Sequence, residues 1–131
     1  MRELAEAFVT GANEDGHAMD WSPSSAYRLD ELCDLFRSGR QRKAVVDSVT
    51  LAMGAYLGEL IVRNGGGRWT YDEEQRAAAV EMRGHLRCYP HNKVGKRLTI
   101  GPDHGLWAFY EHAVTGEVPP GAQANVMPDR P

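Results

Sequence analysis

The sequence predicts an α+β domain. Helices pack on a small antiparallel sheet of two or three strands, a single layer beside one long central helix. Three observations predict it. Apolar residues recur at helical spacing through the first sixty positions. Gly65-Gly66-Gly67 then stops a helix, and short alternating runs follow from Arg68. Helical spacing returns after Pro90, so the strands are grouped between helices instead of alternating with them.

Residues 2–13 read as a short helix, with Leu4, Ala5, Phe8 and Val9 as its apolar stripe and Gly11 and Asn13 to Gly16 as its stop. An extended piece packs Met19 and Trp21. Ser22 or Ser24 then caps a helix reaching about Arg37, with Pro23 tolerated in its first turn. Its inward side chains are expected to be Tyr27, Leu29, Leu32, Cys33, Leu35 and Phe36, and Ser38-Gly39 breaks it. The long helix spans about Gln41 to Asn64 and carries two adjacent apolar stripes, so it is expected to be buried on more than one side. Gly54 and Gly58 lie four apart on one face of it. Each costs about 1 kcal/mol against alanine in a helix interior, so close approach of another backbone or an aromatic ring is expected there.

Arg68–Tyr71 reads as a strand, Asp72–Gln75 as a turn and Ala77–Arg83 as the second strand of a hairpin, with Ala78, Val80 and Met82 sharing one face. Because alanine is a poor strand former, a helix over 72–82 stays open. Leu86–Tyr89 offers a third strand, which Pro90 ends. Asn92 caps a helix through Leu98. Asp103 starts the last helix, which packs Leu106, Trp107, Phe109, Tyr110 and Ala113. Residues 1–116 form a single domain in this reading, and 117–131 a flexible tail.

At 131 residues, with 42% apolar and 25% charged composition, the chain suits one core without staples. No run approaches the ~20 apolar residues of a membrane span, and the N-terminus lacks the apolar core of a signal peptide. Cys33 and Cys88 are expected to be free, buried thiols. A cytoplasmic location follows from these readings. Net charge is −3, unevenly spread. Residues 1–37 hold eight acids and three bases, whereas residues 82–102 hold five bases and no acid. The two segments pair with one another, or the basic one faces an anionic partner.

Glu59 is the first candidate for chemistry. It shares a helix face with Tyr56 and Arg63 and is expected to lie under Trp69. Two readings stand: a positioned carboxylate in a pocket, or a lock that joins the helix end to the hairpin. The glycine run does not cradle phosphate, because it follows a helix and precedes a strand, the reverse of a phosphate loop. His85, Cys88, His91 and His104 lack the paired spacing of zinc ligands, so no metal and no cofactor are expected. No serine sits in a nucleophile elbow. Lys93, Lys96 and Arg97 fall on one face of a short helix, with Arg83 and Arg87 just upstream, which suits an anion or nucleic-acid footprint.

The ordered set Met-Asp-Trp-Ser-Pro-Ser-Ser to Leu-Asp-Glu-Leu (19–32), Ala-Tyr-Leu-Gly-Glu (55–59), Gly-Gly-Arg-Trp (66–69), Pro-His-Asn-Lys-Val-Gly-Lys-Arg-Leu (90–98) and Phe-Tyr (109–110) resembles small bacterial proteins of uncharacterised, unknown-function families. Their pattern runs LD-x-S-x-x-S-x-x-x-LD, YLGE, GG-x-W and a late V-x-KRL before FY. The resemblance covers most of residues 15–112 and implies a shared fold more than an activity. It marks Tyr56, Gly58, Glu59, Trp69, Lys96 and Arg97 for testing. Trp21 stands where the pattern leads to Tyr or Phe, a conservative change.

The function expected from these readings is a non-enzymatic binding or protein-interaction module for a partner protein or a small anionic ligand. Tyr56, Glu59, Trp69, Lys93, Lys96 and Arg97 are its candidate contacts, and no residue is assigned a catalytic role. Catalysis stays open but is not favoured: the alternative is a small hydrolase or transferase using Glu59 with a histidine. A further alternative is nucleic-acid binding through 83–97. No membrane partner is expected, and a homodimer stays open.

Overall fold

The structure, a computed structural model, describes residues 1–37 and 41–116. The predicted break at Ser38-Gly39 and the predicted tail 117–131 lie outside the described residues. Among the described residues five α-helices and three strands follow in order: α1 (Arg2–Glu14), α2 (Ser25–Arg37), α3 (Lys43–Gly65), β1 (Arg68–Asp72), β2 (Ala77–Glu81), β3 (Arg87–Cys88), α4 (Pro90–Thr99) and α5 (Leu106–Thr115). The sheet is antiparallel in the order β1-β2-β3, with Trp69 opposite Val80 and Val80 opposite Cys88. This is the predicted α+β architecture.

Helix α3 is the central element, packed by α1, α4, α5 and the sheet. Every residue from Met53 to Ile61 is buried, which accounts for its two apolar stripes. By length and composition α3 is long and apolar enough to cross a bilayer. That corrects the expectation from apolar run length, although the Met53–Ile61 stretch is enclosed by the domain's own elements. The helix ends where Gly66 takes the left-handed conformation, φ 76°, with its amide donating to the Val62 carbonyl.

The hairpin turn is built by Asp72, whose Oδ1 accepts the amides of Glu74 and Gln75 at 3.0 and 3.1 Å. The helix left open over 72–82 does not form. Ala77–Ala79 are strand because Ala79 and Val80 are both buried on opposite faces of the central strand, where burial outweighs the low β propensity of alanine.

Four sequence expectations are corrected. Pro90 begins α4 instead of merely ending a strand, so Asn92 lies inside the helix; proline at the first helical position loses no hydrogen bond. Asp103 lies in a single 3₁₀ turn, Pro102–His104, and α5 starts at Leu106. On α2, Tyr27 and Leu35 point outward, 54% and 60% exposed. On α1 and α3, Leu4 and Val45 are exposed as well, so the N-terminal part of α3 is open on one side.

Candidate functional site

The corner between α3 and the hairpin is assembled by the two glycines. A Cβ on Gly58 would stand 2.1 Å from the Trp69 ring and 3.1 Å from Pro90. A Cβ on Gly54 would stand 2.3 Å from the His91 ring. The missing side chains let an indole and an imidazole lie directly on the α3 backbone, the ring approach expected from the sequence.

Glu59 is 6% exposed. Its Oε1 accepts the Trp69 indole N–H at 3.1 Å, and its Oε2 accepts Arg63 Nε at 3.1 Å. Arg63 also reaches Glu6 of α1 at 3.3 Å and lies 3.7 Å from the centre of the Trp21 ring. Trp21 packs on Tyr56, which is fully buried and donates its hydroxyl to the Asp20 carbonyl. Burial pushes the Tyr56 phenol up to about 12. One carboxylate thus ties α3 to β1, and through Arg63 to α1. Both of its oxygens are engaged.

The Asp20-to-Ser25 segment is a built turn. Asp20 Oδ1 accepts the Ser22 and Ser25 hydroxyls and the Ser22 amide. The Ser22 hydroxyl first, then that of Ser25, then the Ser22 amide hold the carboxyl down at about 2. Of the two serines expected to cap α2, Ser22 is bound by Asp20, and the Ser24 hydroxyl lies 3.0 Å from that of Ser22.

Lys93, Lys96 and Arg97 do not form an open basic face. Lys93 is fully buried, its ammonium 3.5 Å from His104 Nδ1 and 6.0 Å from the centre of the Phe109 ring. Arg97 is 2% exposed. It donates Nε to Asp30 Oδ1 at 2.9 Å and Nη2 to Asp34 Oδ1 at 2.7 Å. Burial works against its charge, but the bonds from Asp34 and Asp30 outweigh it, and the guanidinium pKa is raised. Asp30 also accepts the Leu106 and Trp107 amides at 2.9 Å each. An acid from α2 thus caps α5 and neutralises α4 at once. Lys96 is half-buried.

The structure therefore brings Glu59 and Trp69 together, joins Tyr56 to them only through Trp21 and Arg63, and sets Lys93 and Arg97 elsewhere. The N-terminal end of α4, Pro90 and His91, abuts the corner. Arg97 lies seven residues on, about 10 Å along the axis, and faces α2. His91 is turned away from Glu59, with Nε2 3.2 Å from the Leu51 carbonyl, and burial lowers its pKa. Among the described residues no three His, Cys, Asp or Glu side chains are placed to hold a metal ion.

An open feature lies on the other side of α3. A cleft of 470 Å³ between α1, α2 and α3 is lined by Phe8, Leu32, Leu35, Phe36, Val49 and Met53. A second, of 530 Å³, runs between α2 and the segment 16–19 and is bordered by Arg28, Glu31 and Asp34. His17, Leu32 and Leu35 line both, so the two clefts adjoin at these side chains and together make up a trough. The sequence reading missed it by turning Leu35 inward. A signal was present: at 100° per residue, the apolar side chains Leu29, Leu32, Cys33, Leu35 and Phe36 cover about 160° of α2, wider than one packing partner needs.

No protein-family model matches the chain, and comparisons with curated proteins and with solved structures yield no match.

Proposed function

We propose that the protein is a non-enzymatic protein-interaction module, and that its docking surface is the trough between α1, α2 and α3. The observation that carries this is Leu35, a large apolar side chain 60% exposed at the junction of two clefts whose walls are Phe8, Leu32, Phe36 and Val49. A trough walled by helices and floored by aliphatic side chains suits an amphipathic helix of a partner protein. The anionic-ligand reading draws less support, because Arg97 is spent on Asp30 and Asp34 and Lys93 is buried. The alternative of Glu59 acting with a histidine draws less still, since Trp69 and Arg63 occupy both carboxylate oxygens. In this reading the Glu59–Trp69 corner is scaffold that fixes α3 under the hairpin.

Site-specific photo-cross-linking tests the assignment. A photoreactive phenylalanine analogue replaces Leu35, Lys96 or Tyr71 in turn, all in cells of the native host. Tyr71 is the exposed control on β1, 59% open. Adducts to a discrete protein species from position 35, absent from 96 and 71, are expected. Adducts from position 96 with none from 35 would overturn it.

A further inference from the structure

Resting on the docking reading above, we infer that the occupant of the trough is a basic amphipathic helix of a partner protein. The charge on the rim carries this step. Asp15 stands at the α1 side of the first cleft, and Glu31 and Asp34 stand at the α2 side of the second. Asp15 and Glu31 are exposed, and the Asp34 side chain keeps 61% of its surface in solvent although it also binds Arg97. Among the described residues lining the two clefts the one arginine or lysine is Arg28, and it is turned to Ser25 and Asp20 at 3.2 and 3.5 Å. Residues 1–37, which supply α1 and α2, carry eight acids against three bases.

The trough therefore presents an apolar floor between acidic edges. Its complement is a helix with aliphatic residues at i, i+3 or i+4 and i+7, flanked by Lys or Arg. The same rim argues against a second copy of this chain as occupant. A two-fold contact places a patch on its own image, so Glu31 and Asp15 would meet acids. The floor supplies the affinity and the rim the choice of partner and the association rate.

The probes are two 18-residue amidated peptides labelled with fluorescein. Both carry leucine at i, i+4, i+7 and i+11, one with lysine at the remaining polar positions and one with glutamate. Fluorescence anisotropy is read against the full chain at low and high salt. The lysine peptide is expected to bind, and the glutamate peptide to bind at least about tenfold more weakly. Glu31→Gln with Asp15→Asn should weaken the lysine peptide about fivefold, the effect of two rim charges. Leu35→Asp should weaken it about tenfold or more. All three positions are exposed, so folding is unaffected, and circular dichroism checks that it is.

Equal binding of both peptides, lost in Leu35→Asp, would overturn the basic-partner inference and leave the docking surface standing. Binding of the lysine peptide that survives Leu35→Asp would overturn both, as adhesion to acidic surface elsewhere. A concentration-dependent dimer by light scattering, abolished by Leu35→Asp, would give the trough to a second copy and overturn the inference. Binding of neither peptide by a monomeric full chain would overturn the inference and the docking reading together.

Discussion

Replacing Asp30 with alanine takes a shared acceptor from three donors on two other helices. The Leu106 and Trp107 amides lose their cap, worth about 1 kcal/mol, and Arg97 Nε loses a charged partner in a site where that side chain is only 3% exposed. A hydrogen bond to a buried charge is worth about 2 kcal/mol, so Asp30→Ala should cost about 3 kcal/mol. The melting temperature should fall by about 10 °C. Urea unfolding followed by tryptophan fluorescence reads the change as a lower midpoint at unchanged slope. Asp30→Asn keeps an acceptor for the α5 amides and should lose only the part due to charge, about 2 kcal/mol. In an Arg97→Met background, where no buried charge remains to be stranded, Asp30→Ala should cost only the cap. The coupling between the two positions is then about 2 kcal/mol. Equal costs of Asp30→Ala in both backgrounds would refute the reasoning.

Four further outcomes follow from the same geometry. Gly58→Ala gains helix propensity of about 1 kcal/mol but drives a Cβ to 2.1 Å from a Trp69 ring held by Glu59, so it should be net destabilising by about 1–2 kcal/mol in thermal melts. Gly11→Ala, with open space around the new methyl, should instead stabilise by about 0.5–1 kcal/mol. Glu59→Gln leaves one oxygen for two donors and should cost about 2 kcal/mol in urea while leaving peptide binding at the trough unchanged. Asp20 is held at about 2 in the folded chain against 3.8 for its ordinary value. Its contribution is complete above pH 3.8, is lost as pH falls towards 2, and amounts to about 1 kcal/mol once solvent screening at this exposed side chain is allowed for. Asp20→Asn should flatten that limb of the stability-against-pH curve, and an unchanged limb would reject the assignment.

The residues that could be read from sequence are those whose partners lie close by or whose identity is itself costly. Gly54 and Gly58 announce a close approach because nothing else justifies them inside a helix, and the rings of His91 and Trp69 supply it. Glu59, Arg63 and Trp69 lie within ten positions, so helical spacing and one chain reversal suffice to join them. Arg97 was harder. Its spacing from Lys93 places both on one face of α4, but spacing does not tell whether that face looks out or in. The answer lies in Asp30 and Asp34, more than sixty positions earlier. The start of α5 was missed for the same reason, since its cap comes from another helix and local sequence offers only Asp103. Leu35 belongs to a third kind. Periodicity assigns large apolar residues to the core, and α2 has more of them than its core-facing side can bury.

The most direct test of the central claim, that the trough and not the Glu59–Trp69 corner is the docking surface, is a two-dimensional NMR titration of the full chain with the lysine peptide. Methyl signals of Leu32, Leu35, Val49 and Met53 should shift on saturation, while the Trp69 indole N–H, fixed on Glu59, stays in place. A shift of the Trp69 indole with the trough methyls unmoved would contradict it.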